Sequence, residues 1–350
     1  MSPTSPTNDI ALQERVAPIL LLLDERRQSH LKICRSAAMW CAASGIAACL
    51  LALGATAQAG QSSPWSFLAP LIALGVYWVI VSLEKSKYGS NFKKLLMPPL
   101  VAQFGQLSFE ADAGLSEDEF NLANLHARPD RFSAQDLIEG KIGATAVRLS
   151  EVEAETRTER RDEKGRVTTT YTTFFQGLFL IADFNKNLGG TTVVLPEGVT
   201  GSLGNFGAKL QSMGGTLSGR GELVKLEDPE FEAHFKAFST DQIEARYVLS
   251  SSLMRRFLDL RNEFGCDISA AFQGESLYLT IDTRRNWFEA PPLGTPLDFA
   301  ALCETLTQLE SAMGVVETLD LNTRIWHERI SESTNKESPQ QATGYLNEGV

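Results

Sequence analysis

Between Arg35 and Glu84 the chain carries no charged residue and no histidine. No other feature constrains the fold as much, because a globular helix almost always keeps a polar face. The block divides at Gln58-Ala59-Gly60-Gln61-Ser62-Ser63-Pro64 into two apolar stretches. The first, from Ser36 to about Gly54, contains Met39-Trp40, Ile46 and Leu50-Leu51-Ala52-Leu53. The second is WSFLAPLIALGVYWVIVSL, Trp65 to Leu83. A helix of ~20 apolar residues crosses a ~30 Å hydrocarbon core, and both stretches meet that length. Small residues in the first would let the two helices approach closely. Pro64 suits the first turn of the second helix.

Orientation follows from the flanks. Arg26, Arg27, Lys32 and Arg35 precede the first stretch, Lys85, Lys87, Lys93 and Lys94 follow the second, and the connection is uncharged. The positive-inside bias therefore predicts both ends in the cytoplasm. Ala55-Thr56-Ala57 and Ala57-Gln58-Ala59 also resemble signal-peptidase sites, so a cleaved leader is the competing expectation. A buried hairpin in a soluble core is the other.

The predicted organisation is a cytoplasmic tail and helix over 1–32, a first span over 33–57 and a short loop over 58–64. A second span over 65–83 and a juxtamembrane helical segment over 84–130 follow. A cytoplasmic domain over 131–330 and a disordered tail over 331–350 complete it. From Glu84 onward 27 Lys and Arg face 39 Asp and Glu. So acidic a domain should stand off an anionic membrane, apart from its juxtamembrane lysines, and does not suit nucleic acid. Three of the five cysteines (Cys34, Cys41, Cys49) lie in or beside the first stretch. Cys266 and Cys303 stand alone, and the four histidines are scattered. No spacing points to a metal, a disulfide framework or a cofactor.

In the 131–330 region, Ala144 to Arg160 alternates, with Glu151, Glu153 and Glu155 on one face. Asp162-Glu163-Lys164-Gly165 reads as a turn and Arg166 to Phe184 as the returning strand, which makes a long antiparallel hairpin with a charged tip. Phe174 to Phe184 is continuously apolar, as in a strand covered on both faces. Asn187-Leu188-Gly189-Gly190 reads as a second turn before a strand over Thr191 to Pro196. Further strands are expected over Glu222 to Glu227 and Phe235 to Phe238, and a hairpin around Gln273-Gly274-Glu275. Helices are expected after the capping residues Ser116, Asp228 and Asp298, over Leu253 to Phe264, and around a break at Pro98-Pro99. Gly198, Gly201, Gly204 and Gly207 do not have phosphate-loop spacing. Together these elements predict an α+β domain with a mainly antiparallel sheet and packed helices behind two transmembrane helices.

FFQGLFLIADFNKNLGGTTVVLP, GELVKLEDPEFEAHF and STDQIEARYVLSSSLMRRFLDL, with DLIEGKIGAT ahead and LNTRIW behind, resemble the bacterial family of domain of unknown function 3137. The resemblance covers roughly Tyr88 to Trp326. It implies a bacterial inner-membrane protein with paired N-terminal spans and a cytoplasmic domain, and it carries over no catalytic residue.

Candidate chemistry is sparse. Asp183, Asn185 and Lys186 form a polar group at a strand end, with Arg246 as a possible partner, but Asp and Asn are also ordinary turn formers. Glu227 to Glu232 gathers four carboxylates that suit either a divalent cation or a helix N-terminus. Trp287 and Phe288 form either an exposed aromatic edge for a partner or a clamp closing the sheet. Nucleophile-elbow, zinc-protease and kinase patterns do not occur. The expectation is a membrane-anchored binding or scaffold module that meets an envelope protein or a second copy of itself, without catalysis or cofactor. The alternatives are an enzyme whose site assembles only in three dimensions, from Asp183, Lys186, Glu227 and Arg246, or a lipid-headgroup binder using Lys85, Lys87, Lys93 and Lys94.

Overall fold

The computed structural model describes residues 10–59, 68–161, 165–197, 220–297, 299–319 and 321. The glycine run at 198–207, the hairpin turn at 162–164, the Asp298 cap and the tail after 321 lie outside them.

Two long helices open the chain, α1 (Ile10–Ala59) and α2 (Leu68–Val101). α1 runs through Pro18 without a break, and α2 holds Pro98 and Pro99 in its last turn, so the expected interruption there is the helix end itself. They pack side by side, and a Cβ at Gly45 would make only an ordinary contact with Pro70, 3.9 Å away. Within the described residues one stretch, Val16–Leu51, is long and apolar enough to cross a membrane, where two were expected. The second expected span begins at 65–67, outside the described residues.

Among the described residues seven strands form one antiparallel sheet: β1 (Gln106–Glu110), β2 (Arg131–Ile142), β3 (Thr145–Arg161), β4 (Val167–Pro196), β5 (Glu222–Val224), β6 (Phe235–Ser239) and β7 (Asp267–Asp282). β4 is the spine. β3 and then β6 pair along one of its edges, and β7 lies along the other from Leu178 to Val194. The helices are α3 (Glu117–Leu122), α4 (Pro229–His234), α5 (Gln242–Val248), α6 (Ser251–Phe264) and α7 (Phe299–Thr318).

Side-chain alternation on β4 explains the apolar run Phe174 to Phe184. Leu178, Leu180, Ala182 and Phe184 join a large core built with the helices. Phe175, Phe179 and Ile181 join a smaller one under Leu115, Phe120 and Leu125. The strand is covered on both faces, as its composition requires. Gly177 is needed in it because a Cβ there would lie 2.0 Å from the carbonyl oxygen of Ile281 on β7.

Two expected turns are absent. β4 continues through Asn187 to Gly190, with register shifts against β7 between Asp183 and Thr191. The carboxylate of Glu244 accepts hydrogen bonds from the Gly189 and Gly190 N–H groups there, which satisfies backbone that the bulge takes out of the ladder. β7 likewise continues through Gly274, at φ 58°. Ile268, Ala270 and Phe272 share the larger core with Leu277, Leu279 and Ile281, so residue parity switches across Gly274. One inserted left-handed residue looks like a turn in the sequence but acts as a bulge in the strand.

The local stops and starts follow side-chain chemistry. Ser116 and Glu119 form a reciprocal capping box on α3, and Asp228 caps α4. α6 buries Leu253, Met254, Phe257, Leu258 and Leu260 on one face and ends at Gly265, φ 62°.

The larger core also receives the helical rods. Val16, Leu20 and Leu23 from α1, and Phe92, Leu96, Met97, Leu100 and Val101 from α2, are all buried in it. Farther along, Met39, Trp40, Ile46, Leu50 and Leu51 on α1 are exposed, as are Leu71, Ile72, Trp78 and Leu83 on α2.

Candidate functional site

Four polar side chains meet beneath α2 where it crosses the sheet. Lys93 lies one helical turn before Met97 and two before Val101, so the helix that buries those residues carries it inward as well. Its Nζ lies 2.6 Å from Oδ2 of Asp136 and 3.0 Å from Oε1 of Glu289. Asp136 sits in the bulge of β2, where the register against β3 shifts between Gln135 and Ile138, and its φ is 58°. Aspartate tolerates that conformation better than most residues. On β3, Val147, Leu149 and Glu151 share the parity that faces the larger core. Glu151 is buried, and Nε2 of Gln135 donates to its Oε2 at 3.2 Å. The backbone N–H of Trp287 also donates to the Glu151 carboxylate.

The electrostatics are strained by burial. Asp136 is fully buried and Glu151 nearly so, while the Glu289 side chain is half exposed and forms the mouth. Burial pushes the Asp136 carboxyl above its ordinary range, against the pull of Lys93. Burial, and then the neighbouring Asp136, push Glu151 up as well. For Lys93, burial acts downward, but Asp136 and Glu289 win and hold the ammonium above the ordinary lysine value. Oδ1 of Asp136 and Oε1 of Glu151 are buried without a hydrogen-bond partner. One carboxylate oxygen from each of Asp136, Glu151 and Glu289 lies within 4.8 Å of the others.

The residues singled out from the sequence lie elsewhere. Asp183 pairs with Ser276 in the β4–β7 ladder and lines an open cleft of about 930 Å³ with Arg148, Glu139 and Glu275. The Lys186 ammonium lies over the Phe184 and Tyr247 rings, at 5.2 and 4.4 Å, on the opposite strand parity from Asp183. Arg246 is exposed in the last turn of α5, and Asn185 belongs to β4. In the acidic run, Asp228 caps α4, Glu232 accepts from the Leu226 N–H and Glu230 pairs with Arg255, the pattern of a helix start. Trp287 and Phe288 are buried, not an exposed edge. Trp287 stacks on Phe264 at 5.6 Å and Phe288 turns inward at φ 43°, so the pair closes the sheet.

No sequence signal marked the buried cluster, because its members stand at 93, 136, 151 and 289. Glu151 read as one of three acids on one strand face, and Lys93 as a juxtamembrane lysine.

The family model described as "Protein of unknown function (DUF3137)" matches residues 173–321. Those residues carry the DUF3137 sequence pattern. That stretch runs from the first part of β4 past α7 and contains Glu289, whereas Lys93, Asp136 and Glu151 precede it. No curated relative matches. Among solved structures the chain is similar to the mycobacterial trehalose monomycolate transport factor A, TtfA, at 9% identity over 63% of this chain and 92% of that one, with a TM-score of 0.32.

Proposed function

We propose that this chain is a membrane-anchored, non-catalytic binding or scaffold module, held by a two-helix hairpin with both termini cytoplasmic. The observation that carries the reading is the division of labour along α1 and α2. One half of each rod is buried in the sheet domain, and the other half exposes Trp40, Leu51, Ile72 and Trp78. Exposed apolar surface of that extent suits lipid. Because both rods enter the same domain, their apolar halves leave it together and return the chain to the side it left. At that exit Nδ1 of His30 lies 2.6 Å from Glu84, which also pairs with Lys87. A cleaved leader fits poorly, since removing α1 would strip Val16, Leu20 and Leu23 from the core.

The docking element is the β3–β4 arm. Beyond the last β2 partner of Glu155, all described residues from Thr156 to Arg161 and from Gly165 to Thr172 are exposed. A two-stranded ribbon standing alone is marginal in water. Arg131, 3.9 Å from the Tyr171 ring, clamps its base. From Thr156 to Thr172 the arm carries five basic residues against three acidic ones, a balance that suits an acidic partner surface.

Headgroup binding through the juxtamembrane lysines is less well supported: Lys87 pairs with Glu84, Lys94 with Asp112, and Lys93 is buried. A small ligand in the Asp183 cleft is the second reading, favoured by the cleft's mixed charge. The test is crosslinking and pull-down of the full chain from native membranes, wild type against a variant whose 159–166 tip is a Gly/Ser turn. A partner lost only in the variant supports the module, and equal recovery from both removes the arm as its contact.

A further inference from the structure

Each buried carboxylate of the Lys93 cluster is gripped through one oxygen and left bare on the other. Lys93 takes Oδ2 of Asp136 and Oε1 of Glu289, and Gln135 takes Oε2 of Glu151. Oδ1 of Asp136 and Oε1 of Glu151 meet no donor, although their residues are, respectively, fully buried and 5% exposed. Buried polar oxygens are normally satisfied, so bare ones on two neighbouring carboxyls call for an occupant, a shared proton or a cation.

We propose that Asp136, Glu151 and Glu289 bind one hard divalent cation, of the calcium class, through one carboxylate oxygen each, the bare oxygens of Asp136 and Glu151 among them. Charge favours it. With all three carboxylates ionised, one ammonium leaves two uncompensated negative charges, which a divalent ion cancels as it displaces the proton that burial otherwise keeps on Glu151. Size favours it as well. Oxygens sharing a calcium ion at ~2.3–2.6 Å lie at most about 5 Å apart, whereas magnesium at ~2.0–2.1 Å requires a tighter set. One carboxylate oxygen from each of the three residues lies within 4.8 Å of the others, inside the calcium limit. The donors are all oxygen, which suits a hard cation and not zinc or copper. Glu289, half exposed, provides the entry and room for water ligands. Lys93 remains on the outer oxygens, where it orients two of the three carboxylates. The ion would thus bridge β2, β3 and the Trp287–Glu289 segment directly under the membrane rod α2.

The experiment uses the full chain in detergent micelles, with terbium as a calcium surrogate sensitised by Trp287, and calcium itself by calorimetry. The expected result is one saturable site, competed by calcium and weakened about tenfold or more in Asp136→Asn and Glu151→Gln, since altering even the outer-shell partners of a metal site costs about 10–100-fold. Glu289→Gln, at a half-exposed position where the fold is not at stake, shows the same direction of loss, and Glu275→Gln, on the separate cleft, shows none. Binding retained in all three cluster variants would overturn the proposal by assigning the ion to the acidic surface. So would the lack of a one-to-one site alongside uptake of a single proton near neutral pH, since a proton shared by Asp136 and Glu151 is the competing occupant.

Discussion

Lys93 on α2 reaches Asp136 in the bulge of β2 at 2.6 Å, with both side chains buried. This contact ties a helix that leaves the domain exposing apolar side chains to the sheet that carries the arm. Removing the lysine leaves buried carboxylates without a counter-charge, and breaking such a pair costs about 3–5 kcal/mol. Lys93→Met is therefore expected to lower stability by that order in chemical denaturation of the full chain. Asp136→Asn added to it should recover part of the loss. A double variant no better than the single would show that packing around Lys93, and not its charge, is what matters.

Leu23 on α1 is fully buried in the domain core. Leu23→Ala should cost about 2–5 kcal/mol, as for other buried leucines. Thermal melts of the purified chain check this, and an unchanged midpoint would mean that α1 does not belong to the folding unit. A soluble piece beginning at Tyr88 should be unstable for the same reason.

Gly177 has no room for a methyl group against the Ile281 carbonyl. Gly177→Ala must push β7 away from β4, and overpacking of this kind costs about 1–3 kcal/mol. Hydrogen exchange should show the loss concentrated in Leu277 to Asp282. Uniform protection across β7 in the variant would contradict the close approach.

His126 stacks on Phe120 and approaches the Phe175 ring at 4.8 Å, with Nε2 3.0 Å from the Thr280 hydroxyl. Burial, with the nearby Arg220 and Arg284 charges, pushes its pKa down to about 3. The folded chain thus favours the neutral ring. Its contribution is present above the unfolded value of ~6.5 and is lost as pH falls from there toward 3, by up to ~1.4 kcal/mol per pH unit. Wild type should lose stability faster than His126→Gln between pH 6.5 and 4.5. A constant gap between the two melting curves would place the ring in contact with water.

The sequence by itself determined the elements whose causes are local. The uncharged block between Arg35 and Glu84 dictated long apolar helices, and alternation dictated the β3–β4 hairpin. The caps at Ser116 and Asp228 and the stop at Gly265 are readable because a cap involves residues within one turn of each other. The continuity of β4 and β7 was not readable. A left-handed glycine and a Gly-Gly pair have the same local chemistry in a turn as in a bulge, and only pairing with a partner strand decides between them. The cluster of Lys93, Asp136, Glu151 and Glu289 depended still more on tertiary structure. Each residue looks like a solvated surface charge until α2, the β2 bulge, β3 and the Trp287 segment close over it. Burial and mutual distance, which no stretch of sequence encodes, set the electrostatics of that site.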